Sequence, residues 1–245
     1  MAKATYKVSY KTYFNDRLKK VYFHGEYTYP LYVQVTFDRK SIFFKSYYFE
    51  LFSKPRYFLS VVGISKGPSI EEITQLENAI IDFIVDKYAD SFSLALFKKE
   101  YNYYSTDLCD VTEEGFLDYL HIFLQDKGMP TLATVIREGA RYPRVYEMLR
   151  DMKMAFTQKL YDEMIKNSFY YAPPYYPLYG FMQQSKKWPM LSLSVMEWES
   201  GDMQPSFEQY IKKRFPDIDV KEVINDVDQL LKWVKKKVNA PTPNS

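Results

Sequence analysis

The strongest constraint on this chain is a change of hydrophobic period. Residues 5 to 14 alternate Tyr6, Val8 and Tyr10 against Lys7, Ser9 and Lys11. After Pro30, Leu31, Val33, Val35 and Phe37 alternate with Tyr32, Gln34 and Thr36. A period of two belongs to strands. Beyond Ser69 the apolar residues instead recur every third or fourth position, beginning with Ile70, Ile73, Leu76, Ile80, Phe83 and Ile84, which is the stripe of an amphipathic helix. The expected fold is therefore α+β: a small N-terminal antiparallel β-meander, then a mainly helical body with a short C-terminal strand and an amphipathic helix.

Charge divides the chain in the same place. Met1 to Tyr57 hold 11 Lys and Arg against 4 Asp and Glu, whereas the whole chain of 245 residues carries a net charge of only +2. A basic β-module on a slightly acidic helical body suits attachment to a polyanion better than an enzyme pocket. Turns at Asn15-Asp16-Arg17 and Asp38-Arg39-Lys40 separate the expected strands, with Leu18–Phe23 and Ser41–Tyr48 as the second and the last. After Pro55 an apolar stretch (Phe58 to Ile64) leads to Lys66-Gly67-Pro68.

Three divisions are expected: 1–57, 58–167 and 168–245. Ser69 with Glu72 is a capping box at a helix start. Asp110 with Glu113 is read as a second start, ended by Gly128 and Pro130, and Thr131 as the cap of a short helix. Val145, Leu149, Met152, Phe156 and Leu160 predict one longer helix to about Asn167. The segment FYYAPPYYPLYGF (Phe169–Phe181) holds three prolines and predicts neither a regular helix nor a central strand. Leu191–Trp198 reads as a strand, a short helix runs from Pro205 to near Pro216, and Asp219 with Glu222 opens the last helix.

Catalytic chemistry finds little support. His24 and His121 lie far apart, Cys109 is the single cysteine, and no P-loop, GxGxxG or GxSxG occurs. Asp107, Cys109 and Asp110 resemble a metal cluster, but Asp110 is more simply a helix cap, and His121 between Leu120 and Ile122 reads as a satisfied structural histidine. Neither catalytic nor metal-ligating residues are expected, and no cofactor. No secretory signal or membrane span is visible, so the expected location is the cytoplasm of a host cell.

Binding finds more. Lys7, Lys11, Lys19, Lys20, Arg39, Lys40 and Lys45 cluster in the meander among tyrosines, and a small sheet can enter a DNA major groove with such cations on phosphates or guanine edges. Lysines on edge strands also serve simply to block edge-to-edge pairing, and the pattern alone leaves both readings open.

The segment YKVSYKTYF…HGEYTYPLYVQVTFDRKSIFFKS resembles the arm-type DNA-binding domain of Bacteroidetes tyrosine recombinases (integrases). Gly25, Pro30, Leu31, Tyr32, Val33, Val35, Asp38, Arg39 and Lys40 match that domain's layout of strand, glycine, Pro-led strand and polar turn. Ser69–Lys87 and Ser91-Phe92-Ser93 with Phe97 are similar to the linker into the family's core-binding domain, and residues 116–152 more loosely to that domain. The resemblance covers about residues 5 to 155. HxxR is missing, and too little chain remains for a catalytic domain, so it implies attachment to double-stranded DNA without strand cleavage.

A second reading is a structural virion protein of a Bacteroidetes phage, a ring, head–tail connector or tail subunit, with other virion subunits as partners. There Tyr170, Tyr171, Tyr175, Tyr176 and Tyr179 would supply a homo-oligomer interface, since buried aromatic anchors dominate permanent contacts.

Overall fold

A computed structural model describes residues 7–57, 59–61, 64–140 and 143–240, and the chain divides into two units, Met1–Ser105 and Thr106–Ser245. Tyr6, Phe58, Val62 and Gly63, which the sequence reading used, lie outside the described residues. The division differs from the expected boundaries at 57 and 167, because α1, α2 and α3 complete the core under the N-terminal sheet.

Unit 1 runs β1 (Ser9–Phe14), β2 (Val21–Phe23), β3 (Glu26–Thr28), β4 (Leu31–Phe37), β5 (Lys40–Lys45), α1 (Tyr47–Phe52), β6 (Leu59–Val61), β7 (Ile64–Lys66), α2 (Ile70–Lys87) and α3 (Leu94–Tyr104). The strands are not a simple meander. The main sheet has the order β1-β4-β5, all antiparallel, and β2 and β3 form a separate hairpin inserted between β1 and β4. The Asn15 amide donates to the Pro30 carbonyl at 3.0 Å and closes the base of that insertion. Both hairpins turn on a pair of residues with positive φ, His24 with Gly25 and Asp38 with Arg39, the backbone twist that such tight hairpins favour. The last strand ends at Lys45, short of Tyr48, because Ser46 caps α1 by accepting from the Phe49 amide.

One face of the sheet is packed. Leu31, Val33 and Val35 are buried, and the register places Tyr10, Thr12, Ile42 and Phe44 beside them. Phe44 meets Tyr101 of α3 with ring centroids at 4.5 Å, and Phe37 meets Phe92 at 5.0 Å. The Tyr10 hydroxyl donates to Asp82 of α2 at 2.6 Å. Glu77 of α2, fully buried, accepts from the Ser46 and Tyr101 hydroxyls and the Tyr48 amide. One carboxylate thereby ties α1, α2 and α3 together. The Ser69–Glu72 capping box forms as the sequence implies.

Unit 2 runs α4 (Leu108–Asp126), α5 (Pro130–Gly139), α6 (Val145–Met152), α7 (Gln158–Tyr171), α8 (Tyr175–Ser185), α9 (Val195–Glu199), α10 (Gln204–Arg214) and α11 (Val220–Asn239). Several local expectations are corrected here. Asp107, not Asp110, caps α4, its carboxylate accepting from the Asp110 amide at 2.6 Å. Pro130 rather than Thr131 opens α5, where the missing proline N–H is one the helix would leave unbonded anyway. The long helix expected from Val145 is broken by extended backbone at Phe156, and Thr157 caps α7 afresh.

The proline-rich segment is mostly helical. Its first three residues end α7, and Tyr175 onward forms α8 with Pro177 in the first turn, a position without an intrahelical N–H bond to lose. The expected strand over Leu191–Trp198 is realised as one bridging pair, Asp107 with Ser194, followed directly by α9. Asp107 also accepts from the Leu193 amide at 2.8 Å, so a single buried carboxylate both caps α4 and fastens this extended stretch.

Candidate nucleic-acid interface

The outer face of the β1-β4-β5 sheet follows from the same alternation that buries its inner face. Register places Ser9, Thr36 and Ser41 in one cross-strand row, Lys11, Gln34 and Phe43 in the next, and Tyr13, Tyr32 and Lys45 in the third. Lys11, Phe43 and Lys45 are exposed and the rest of the last two rows is half-buried. Phe43 keeps 58% of its surface open to solvent, unusual for a phenylalanine on a strand. Gln34 Nε2 donates to the Ser41 hydroxyl at 3.3 Å, and the Thr36 and Ser41 hydroxyls bond at 2.7 Å, so the central amide is tied to the neighbouring row.

The two cations on this face are only lightly committed. Lys11 Nζ lies 5.4 Å from the centroid of the Tyr13 ring. Lys45 pairs with Glu50 at 3.1 Å, which holds its ammonium above the usual lysine range, but both partners are more than half exposed. A surface pair of this kind contributes roughly 0–1 kcal/mol, so a phosphate can replace the carboxylate.

The seven expected contact residues are not one patch. Lys11 and Lys45 share the outer face. Arg39 stands in the hairpin turn, and Lys7 precedes β1 at that same end. Lys40 pairs with Phe37 and so alternates onto the packed side, at its exposed margin. Lys19 and Lys20 lie in the loop beyond Phe14, at the opposite end of strands about 20 Å long. Lys20 covers Tyr29, 5.4 Å from its ring centroid. The sequence reading missed Gln34, Phe43, Tyr13 and Tyr32 as partners of Lys11 and Lys45, although extending the alternation of β1 and β4 into a register would have grouped them.

The tyrosines expected at an oligomer interface separate into two groups. Tyr175, Tyr176 and Tyr179 are buried in the core of unit 2, where the Tyr175 hydroxyl donates to Glu113 at 3.1 Å and that of Tyr179 to Glu147 at 3.0 Å. They are not available to another subunit. Tyr170 and Tyr171, at the end of α7, are exposed. Tyr175 begins α8, packing against Phe116 at 4.7 Å, whereas in the last turn of α7 Ser168 and Phe169 take the buried side and leave Tyr170 and Tyr171 outside.

His121 is half-buried with an unbonded Nδ1, rather than the satisfied histidine expected. Cys109 is buried, and burial with the carboxylates around it pushes its thiol well above the usual range, away from nucleophilic chemistry. Among the described residues no group of three or more His, Cys, Asp and Glu could hold a metal ion, and no helix is long and apolar enough to cross a membrane. No protein-family model, curated protein or solved structure matches this chain.

Proposed function

We propose that this chain is a non-catalytic DNA-binding protein that lays the outer face of its three-stranded sheet into the major groove of a duplex. The observation that carries this reading is the composition of that face: exposed Lys11 and Phe43 share a cross-strand row with half-buried Gln34, and exposed Lys45 stands in the next row. A two- or three-stranded ribbon fits the groove, cations on its edge strands hold phosphates, and a glutamine on the central strand suits an adenine edge. Arg39 at the hairpin tip extends the same footprint. Residues 1–105 hold 15 Lys and Arg against 11 Asp and Glu, while residues 106–245 hold 18 against 20, so the favourable field comes from this unit.

Duplex binding by the full chain, measured by fluorescence anisotropy as salt is raised from about 50 to 200 mM, tests the proposal. Lys11→Ala with Lys45→Ala is expected to weaken binding at least tenfold and to lower the salt slope by about two, one per lost phosphate contact. Arg39→Ala is expected to lower it by about one more. A wild-type chain that ignores duplex at low salt, or a double variant that binds as before, would sink it. The rival reading, a subunit of a phage particle, loses three of its five contact tyrosines to the core. Its mark would be a cyclic oligomer indifferent to DNA in sedimentation.

A further inference from the structure

Unit 2 carries a second cationic feature, built without any residue of the sheet. Two clefts of about 740 and 640 Å³ adjoin across a shared wall made by Tyr146 and Arg214. Each is of the size that small-molecule sites occupy. Their cations are Arg150, Lys153, Lys166, Lys213 and Arg214, all exposed, from α6, the turn after it, α7 and α10. Among the described residues the carboxylates on these walls are Asp162, already accepting from Gln158 at 2.6 Å, and Asp217, while Arg150 also pairs with exposed Asp151 at 3.1 Å. Five cations against two carboxylates stand out in a unit whose acidic residues outnumber its basic ones, 20 to 18.

The floor between the cations is tyrosine. The Tyr146 and Tyr210 hydroxyls are hydrogen-bonded to each other, and those of Tyr161 and Tyr176 approach at 3.3 Å. Tyr146 and Tyr210 are half-buried and line the clefts. Gly180 makes this arrangement possible. A side-chain carbon there would overlap the Tyr210 hydroxyl and stand 3.0 Å from that of Tyr146. Neutral donors, Gln183 and Gln209 among them, line the first cleft, and Glu147 beside it is occupied by Tyr179 and Gln183.

Cations that can meet phosphate oxygens, aromatic rings that can meet a base, and hydroxyl and amide donors between them make up the chemistry of nucleotide recognition. We propose that this double cleft binds a phosphate-bearing ligand of nucleotide size, either a free nucleotide or a short run of single-stranded nucleic acid crossing the Tyr146–Arg214 wall. The site is independent of the duplex-binding sheet, and either proposal can fail without the other.

The test uses the full chain with two probes, a fluorescein-labelled oligothymidylate of about eight nucleotides and unlabelled ATP, at about 50 mM salt. The labelled strand is expected to bind, and Lys213→Glu with Arg214→Glu to weaken it at least tenfold with an unchanged melting midpoint. Tyr146→Phe, which keeps the ring and loses the hydroxyl, is expected to weaken it several-fold, and Lys11→Ala with Lys45→Ala to leave it unaltered. Displacement by ATP below millimolar concentration would identify a free nucleotide as the ligand, and strand binding indifferent to ATP would identify the polymer. Failure of both probes to bind, an unaltered affinity in the charge-reversed variant, or a loss seen only in the sheet variant would overturn the proposal.

Discussion

The outer sheet and hairpin surface of unit 1 and the α8 core of unit 2 use tyrosine in opposite ways, although unit 1 also buries Tyr48, Tyr101 and Tyr104 beneath its sheet. In unit 1, Tyr13 and Tyr32 stand on an open sheet face, and Tyr22 and Tyr27 meet edge to face at 5.5 Å on a hairpin that leaves 59% and 69% of their surfaces exposed. In unit 2, Tyr175, Tyr176 and Tyr179 are core residues whose rings pack on Phe116 and Tyr146. There burial drives all three hydroxyls far above the usual tyrosine range, with nearby Glu113 adding to the effect at Tyr175 and Glu147 at Tyr179. An excess of tyrosine therefore has no single meaning. The residue packs as a large apolar side chain wherever its hydroxyl is given a partner, and it is free for recognition only where the fold leaves its ring uncovered.

The contrast is sharpest for Tyr175, so the largest effect is expected there. Tyr175→Ala should cost about 3–5 kcal/mol, since an aromatic core deletion leaves a cavity. Tyr175→Phe should cost about 1–3 kcal/mol, because Glu113 then loses a donor in a buried site. Urea unfolding with an unchanged m-value measures both. An alanine variant less than about 1 kcal/mol below wild type would show that α8 is not held by this ring.

Each unit also holds a fully buried carboxylate that joins segments distant in sequence, Glu77 and Asp107, and here the units are alike. Glu77 in unit 1 accepts from the Tyr48 amide and the Ser46 and Tyr101 hydroxyls, Asp107 in unit 2 from the Asp110 and Leu193 amides, and burial is the leading cause that raises both above their ordinary ranges. For Asp107 the value is about 7, against 3.8 for a free side chain. Between about pH 4 and pH 7 the folded state keeps a proton that the unfolded chain releases. Stability should therefore fall as pH rises through that window, by at most about 1.4 kcal/mol per pH unit, and level off above it. Asp107→Asn should cost about 1–3 kcal/mol for the acceptor it replaces with an amide donor facing Leu193. It should also remove that slope, so the gap between variant and wild type changes with pH. A gap constant from pH 4 to pH 8 would show that Asp107 titrates as an ordinary surface acid.

The strand and helix periods, the Ser69–Glu72 capping box and the core faces were legible because they depend on residues near in sequence. Leu31, Val33 and Val35 could be assigned to a buried face from alternation alone, and Ser69 with Glu72 to a helix start. What stayed hidden depends on pairing at a distance. The β1-β4-β5 order requires knowing that the short β2–β3 hairpin closes on itself. The cap at Asp107 is fixed by Leu193 and Ser194, which come from a stretch of chain five helices further on. Pro177 misled for a different reason: a proline forbids a helix interior but not a first turn, and only the position of Pro174 and Tyr175 shows which applies. The cationic clefts were equally hidden, since Arg150, Lys166 and Arg214 come from three helices.

The smallest expected effect closes the comparison from the exposed side. Tyr27 meets Tyr22 across the hairpin and is otherwise turned to water, so Tyr27→Ala removes one edge-to-face contact between rings already bathed in solvent. Such a cross-strand aromatic pair contributes about 0.2–1 kcal/mol relative to alanine, and the hairpin is anchored instead by Phe23, stacked on Phe49 at 4.7 Å, and by His24 bonded to the Phe52 carbonyl at 2.7 Å. Global stability in urea should therefore move by less than about 0.5 kcal/mol, while amide exchange over 21–28 accelerates. A loss near that of Tyr175→Ala would mean that the hairpin aromatics are structural after all, and that the hairpin surface and the α8 core treat tyrosine alike.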